Sequence, residues 1–179
     1  MRVANGIPKA VRVVIGIMLM AAFVMVCWAL VARFAGGWGV PYFTFQTDRG
    51  STCKNTLTGY TCDQMSLADI EFHGEVDLPS NTRVLQSTYR STHDYRLDAR
   101  LLVPAAGAPA AAKGLQESFG QCQPGHLAPM PTTGLTAVCV FANDDAVTGD
   151  AETSSRLYTV GTGLRKDGAR VIAMSIKSR

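Results

Sequence analysis

The feature that most limits how this chain can fold is a run of twenty uncharged residues near its N-terminus. The run, VVIGIMLMAAFVMVCWALVA, occupies residues 13–32 between Arg12 and Arg33. As an α-helix it would be about 30 Å long, which matches the hydrocarbon core of a lipid bilayer. An uncharged run of this length rarely belongs to a water-soluble domain. We therefore predict a transmembrane helix over residues 13–34, preceded by a short tail over residues 1–12.

Three kinds of N-terminal segment contain such a run. A signal anchor stays in the protein, a secretory signal peptide is removed, and a lipoprotein signal is cut before a lipidated cysteine. Cleavage after Ala32 would leave Leu30 at position −3, where a small residue is expected. Cys27 lies deep in the run and follows Val26 rather than a small residue. These features favour an uncleaved signal anchor, with a cleaved signal peptide as the main alternative.

The charged residues indicate which side of the membrane the rest of the chain occupies. Arg2, Lys9 and Arg12 precede the run, and positive flanks stay on the cytoplasmic side. The chain after the run contains 14 basic and 14 acidic residues, so it has no net positive charge with which to bind phosphates. We predict a single-pass protein of the cell membrane, with its N-terminus in the cytoplasm and its C-terminal domain outside. Nucleic acid is not expected as a partner.

The cysteines support an external location. Cys27 lies in the apolar run, and four more follow it, at Cys53, Cys62, Cys122 and Cys139. An even number of cysteines on the oxidising side of a membrane is typical of two disulfides. Sequence order suggests Cys53–Cys62 and Cys122–Cys139, which is one of three possible pairings. Free thiols and a zinc site are the alternatives, although the closely spaced ligand pairs of a zinc site are missing from the sequence.

Residues 35–67 are predicted to form a juxtamembrane segment with a cysteine-stapled loop or loose hairpin, and residues 68–179 to form one α+β domain. Alternating or strongly apolar stretches predict strands over residues 69–76, 83–90, 93–103, 135–142, 155–161 and 170–177. The most apolar of these, over 135–142, is expected at the centre of the sheet. An Ala-rich segment predicts a helix over residues 109–119 that ends at Gly120. We therefore expect a mainly antiparallel sheet with one helix on a face.

Few residues of the sequence suggest a catalytic or a metal-binding site. Adjacent residues of a strand point to opposite faces, so His93 and Asp94 do not form the steered imidazole that a nucleophile needs. Asp144, Asp145 and Asp150 offer the oxygen ligands that Ca²⁺ prefers, but their spacing differs from that of a calcium loop. We assign no cofactor and do not favour an enzyme.

The clearest predicted strand, over residues 93–103, places Arg96, Asp98 and Arg100 on one face and apolar residues on the other. An alternating charged face is usually a solvated sheet surface. It is also the best candidate in the sequence for a face that binds a partner.

Two segments resemble uncharacterised actinobacterial membrane-anchored, lipoprotein-like proteins. One is DLPSNTRVLQSTYRSTHDYRLDARLLV over residues 77–103, with Pro104 after it, and the other is LYTVGTGLRKDGARVIAMSI over residues 157–176. In that group a DYRLDA…VP strand precedes a short helix. The resemblance implies an extracytoplasmic location and carries over no catalytic or binding residues.

These observations favour a non-catalytic membrane protein that presents a disulfide-stabilised external domain to an envelope or membrane protein. A small-ligand or envelope-polymer binding domain is the alternative and would be marked by convergent polar groups in a pocket. An envelope hydrolase is less favoured, because the sequence lacks a nucleophilic or acid–base constellation.

Overall fold

The computed structural model of the protein describes residues 8–123, 126–143 and 155–178. Its first element, α1, is a helix over Lys9–Phe34 with none of its residues buried. This helix is long and apolar enough to cross a membrane. The chain that follows folds into an α+β domain, as the sequence predicts. Its elements are β1 Thr44–Gln46, β2 Thr52–Asn55, β3 Tyr60–Asp63, α2 Leu67–Gly74, β4 Arg83–Ser91, β5 Tyr95–Val103, α3 Ala108–Phe119, β6 Thr136–Ala142, β7 Arg156–Leu164 and β8 Arg170–Ser178.

The strands form one antiparallel sheet of eight strands in the order β1-β2-β3-β4-β5-β8-β7-β6. The predicted hairpin of β4 and β5 is present, and a turn with Gly168 at φ 80° connects β7 to β8. The sheet continues across the predicted boundary at residue 67, because β3 pairs directly with β4. The cysteine-stapled segment and the domain after it therefore share one sheet.

The two helices α2 and α3 pack on the same face of the sheet, which we call the inner face. On β5 this face carries Leu97, Ala99, Leu101 and Val103, all of them buried. Ile70 of α2 and Leu115 of α3 are fully buried in the same core. The alternation predicted for β5 is confirmed, since the intervening Arg96 and Arg100 are exposed.

The strand predicted over residues 69–76 is wrong, because this segment forms α2. The hydroxyl oxygen of Ser66 accepts a hydrogen bond from the backbone N–H of Asp69 at 3.1 Å and so caps the helix. Ile70 is buried and Phe72 is 55% exposed, so the two do not share a face as a strand would require. The inner face consequently carries two helices rather than the single one expected.

The central position expected for residues 135–142 is also wrong, because β6 is an edge strand. Its apolar character has a local cause. Phe141 faces Phe119 of α3, with 6.4 Å between ring centroids. On the other side, Pro129 lies so close to Gly161 of the neighbouring β7 that a Cβ there would meet its ring at 2.7 Å. The C-terminal half of β6 is therefore covered on both sides, although the strand is paired on only one edge and its first three residues are exposed.

Two disulfides join these elements in the pairing that sequence order suggests. Cys53 and Cys62 are directly opposite each other in β2 and β3. Cys122, which follows α3, is bonded to Cys139 of β6. Cys27 is free and exposed on α1.

The sheet is attached to α1 at one end, which we call the anchor end. The side-chain amide of Asn55, the last residue of β2, donates a 2.7 Å hydrogen bond to the carbonyl oxygen of Gly36. The backbone N–H of Tyr42 in turn donates to the carbonyl oxygen of Asn55 at 2.9 Å. A Cβ at Gly36 would overlap the backbone of Thr44, so a side chain here would separate the two parts. The turn after α1 is thus packed against the start of the sheet.

Candidate functional site

The face of the sheet opposite α2 and α3, which we call the outer face, brings together the charged residues singled out in the sequence. Arg96, Asp98 and Arg100 alternate with buried residues of β5, so all three point away from the core. Neighbouring strands place Gln86 and Ala173 beside Arg100, and Thr88 and Ser175 beside Asp98. The three charged residues therefore belong to one polar surface.

A small network of hydrogen bonds holds the side chains at the centre of this face in place. Arg96 donates to the Asp98 carboxylate through Nε at 2.6 Å and through Nη2 at 3.3 Å. The Ser175 hydroxyl donates to the same carboxylate at 2.7 Å. Partial burial acts to raise the pKa of Asp98, but the bonds from Arg96 and Ser175 outweigh it and hold this pKa below its ordinary value. The same contact with Asp98 raises the pKa of Arg96, so both groups are charged at neutral pH.

The register of the sheet aligns four cations in one row across five adjacent strands. Each pairing step is between directly opposite residues: Lys54 with Thr61, Thr61 with Arg90, Arg90 with Arg96, and Arg96 with Lys177. The four cationic side chains are exposed and lie on the outer face, since their neighbours along each strand point into the core. Because adjacent strands are about 4.8 Å apart, the row extends over about 19 Å. We refer to Lys54, Arg90, Arg96 and Lys177 as the cation row.

Comparison with family models, curated proteins and solved structures gives no match.

Among the residues that the structure describes, most of the positive charge in the cation row is not neutralised by an ion pair. Arg96 has Asp98 as its partner, whereas Lys54, Arg90 and Lys177 form no ion pair within 4.0 Å in the part of the chain that the structure describes. Like charges directly opposite each other in a sheet are destabilising. An anion bound along the row would remove this repulsion, because it would interact with several of the cations at once.

The outer face is shallow. A hollow of about 200 Å³ lies between Thr88, Asp98 and Arg100, with Pro129 at its edge. A second hollow of about 110 Å³ adjoins it at Ser175 and is bordered by Arg96 and Lys177. These small, open hollows and their charged border suit a linear polymer that lies across the sheet better than a compact ligand that is enclosed by the protein.

The remaining predicted site residues do not form a second site. Asp144, Asp145 and Asp150 lie outside the described residues. His93 is exposed in the β4–β5 turn, and the Asp94 carboxylate accepts a 3.3 Å hydrogen bond from Ser178 instead of steering an imidazole. Across residues 8–123, 126–143 and 155–178, no group of three or more His, Cys, Asp or Glu side chains is arranged to hold a metal ion.

The sequence did not single out Lys54, Arg90 and Lys177. The position of Arg90 could have been predicted from the sequence, because the hairpin register around the 92–94 turn places it opposite Arg96. The positions of Lys54 and Lys177 could not, since their alignment depends on the pairing of strands that are distant in the sequence.

Proposed function

We propose that this protein is a single-span membrane protein whose external domain binds a linear anionic polymer of the cell envelope along the cation row. The row is the observation that supports this proposal. Its four cations face the same side and lie in four of five adjacent strands, so a polymer of repeated phosphate or carboxylate groups can pair with several of them. Binding of this kind requires no catalytic step.

The composition of the outer face favours a polymer over a folded protein partner. Protein interfaces usually depend on buried aromatic and other large side chains at their centre. The outer face along and beside the cation row instead carries threonine, serine and arginine, at Thr61, Thr88, Ser175 and Arg100. An acidic protein surface, which fits the partner expected from the sequence, is the alternative outcome of the experiment below.

The membrane position that we propose is supported by α1 and by the cysteines. Positive charge precedes the apolar part of α1, which favours a cytoplasmic N-terminus. Two disulfides beyond α1 suit an oxidising compartment. The resemblance to actinobacterial membrane-anchored proteins leads to the same expectation.

Binding can be measured with the full chain in lipid nanodiscs and immobilised poly(glycerol phosphate), with dextran as the neutral polymer. We expect saturable binding to poly(glycerol phosphate) that weakens steeply with added salt, because salt competes with phosphate for the cations. Dextran should not bind. The double substitution Arg90→Gln with Lys177→Gln should weaken binding about 2- to 30-fold, since exposed ion pairs contribute about 0.2–1 kcal/mol each.

A matched control removes two positive charges elsewhere in the domain. Lys113 lies on α3 and Lys166 lies in the β7–β8 turn, so Lys113→Gln with Lys166→Gln changes the net charge equally without touching the row. Equal weakening by the two double variants would show that only net charge matters and would contradict the proposal. Failure to bind the polymer, together with row-dependent capture of an acidic polypeptide such as polyglutamate, would favour a protein partner instead.

A further inference from the structure

A second candidate site lies on the other side of the sheet, around a buried arginine. Arg170 is the first residue of β8 and points to the inner face, where it is only 9% exposed. Its Nε donates a 3.1 Å hydrogen bond to the carbonyl oxygen of Ala108 at the start of α3. Its Nη1 donates to the Thr162 hydroxyl oxygen at 3.1 Å, and that hydroxyl donates onward to the carbonyl oxygen of Val171 at 3.0 Å. The guanidinium is therefore held in a fixed orientation.

The charge of Arg170 is not compensated by any of the carboxylates that the structure describes. Within the described ranges, no Asp or Glu oxygen lies within 4.0 Å of its guanidinium, and its two hydrogen-bond acceptors are both neutral. A guanidinium has five N–H donors, and Nη2 donates to no protein group there. Burial lowers the pKa of Arg170, but a guanidinium remains charged at any physiological pH. An unpaired buried charge is costly, so the site has a strong preference for an anion.

A cavity of about 240 Å³ adjoins this guanidinium between α3 and strands β6 to β8. Its walls include Ala112, Phe141 and the Cys122–Cys139 disulfide and are more apolar than polar, and the exposed Gln116 also lines it. An apolar cavity of about 150 Å³ is enough to hold a benzene ring. The space therefore accommodates a compact organic group next to Arg170.

We infer that this cavity binds a small organic carboxylate whose apolar body lies against Ala112 and Phe141 and whose carboxylate pairs with Arg170. A planar guanidinium can donate two parallel hydrogen bonds to a carboxylate, which gives both strength and orientation. The cavity is separate from the cation row, which lies on the opposite face of the sheet, so the two proposals are independent.

The inference is tested by titrating 4-fluorobenzoate with the full chain in nanodiscs and following the fluorine NMR signal. We expect saturable broadening and a shift of the 4-fluorobenzoate signal. The neutral 4-fluorobenzamide should bind at least about tenfold more weakly, because hydrogen bonds to a charged partner are the stronger ones. Equal binding of the two compounds would contradict the role of Arg170, and no binding of either at millimolar concentration would contradict the site.

Two substitutions separate the charge from the cavity. Arg170→Met removes the charge while retaining a long apolar side chain, and we expect at least a tenfold loss of 4-fluorobenzoate binding. Ala112→Leu fills the cavity while leaving Arg170 in place, and it should weaken binding similarly, which keeps the test valid if Arg170→Met fails to fold. Arg165→Gln, at an exposed arginine paired with Asp167, is the matched control and should leave binding unchanged. Unchanged binding by the Ala112→Leu variant would overturn the inference.

Discussion

Two aspartates of this domain show how the surroundings of a residue decide its role. Asp98 lies partly exposed on the outer face. Because its carboxylate pairs with Arg96, it reduces the repulsion between the neighbouring cations. Asp69 is buried on the inner side, where its carboxylate accepts hydrogen bonds from the Thr47 hydroxyl and from the Ser51 backbone N–H. The Ser66 hydroxyl lies 3.3 Å from the same oxygen. Asp69 thus connects the β1–β2 turn to the start of α2.

The hydrogen bonds of Asp69 predict how the stability of the domain depends on pH. Burial acts to raise the pKa of Asp69, but hydrogen bonds from Ser51, Thr47 and Ser66 hold this pKa below the ordinary value of an aspartate. The ionised carboxylate therefore stabilises the folded domain above the pKa of an unfolded aspartate, about 4. This stabilisation is lost as the pH falls from about 4 through the lower pKa of the folded state. Wild-type stability should fall over this window. Asp69→Asn should reduce the dependence and destabilise the domain by about 1–3 kcal/mol at pH 7.

Urea unfolding of the full chain in detergent micelles, followed by circular dichroism from pH 7 to pH 3, measures both effects. Asp48→Asn is the control, because Asp48 is an exposed residue of the same turn and its substitution should change the free energy of unfolding by no more than about 0.5 kcal/mol. If Asp69→Asn were as stable as wild type at pH 7, the carboxylate would not hold the turn to α2.

At the scale of secondary structure, the sequence predicted best where one local pattern decided the result. The period-two alternation of β5 and the Gly120 end of α3 are such cases. The error at residues 69–76 arose because a short alternating pattern competed with a helix cap formed by Ser66 three residues before Asp69. The edge position of β6 had no local signal, because it follows from the insertion of β8 between β5 and β7.

The close contact between α3 and the segment after α2 predicts an unusual effect of a glycine substitution. Gly114 lies inside α3, where alanine would normally stabilise a helix by about 1 kcal/mol. A Cβ at this position, however, would overlap the carbonyl oxygen of Asp77. Since this oxygen belongs to the backbone, the helix would have to move, at a cost of about 1–3 kcal/mol that exceeds the gain. Gly114→Ala should therefore lower the thermal midpoint of unfolding.

The exposed residue Ala110 of the same helix provides the control for this prediction. Ala110→Gly creates no contact and should cost about 1 kcal/mol through helix propensity alone. If Gly114→Ala raised the thermal midpoint while Ala110→Gly lowered it, propensity would dominate and the close approach to Asp77 would be unimportant.

At the scale of the whole molecule, a neutral chain folds into a domain with an uneven distribution of charge. The 14 basic and 14 acidic residues after the apolar run gave no reason to expect a basic stripe. Folding nevertheless places cations from β2, β4, β5 and β8 side by side, while α2 carries acidic residues and no Lys or Arg. Composition could not predict this surface, because it depends on the register of the sheet. The expectation that nucleic acid is not a partner now depends on the proposed external location of the domain rather than on charge.

The attachment of the sheet to α1 relates the cation row to the proposed membrane. Lys54 immediately precedes Asn55, whose side chain is bonded to Gly36 just beyond α1. The row therefore crosses the sheet near its anchor end. If α1 spans the membrane as we propose, a polymer bound along the row would be held close to the membrane surface.

Thiol labelling of intact cells tests this arrangement as a whole. Without reductant, a membrane-impermeant maleimide should label no cysteine, because four are paired and Cys27 lies within the part of α1 that we propose to span the membrane. Mild reduction should first allow labelling of Cys122, which is exposed. Cys53 and Cys62 are each only 1% exposed and should react only after the domain is unfolded.

An added cysteine in the N-terminal tail, introduced as Ala4→Cys, provides the control for orientation. It should react only after the membrane is permeabilised, because the positive residues of this tail favour the cytoplasmic side that we propose for it. Labelling of Ala4→Cys in intact cells, with Cys122 inaccessible even after reduction, would show the opposite orientation. The domain would then lie in the reducing cytoplasm, where disulfides rarely persist. The proposal of an envelope polymer as the partner would then fail, because the cation row would not be exposed to the envelope.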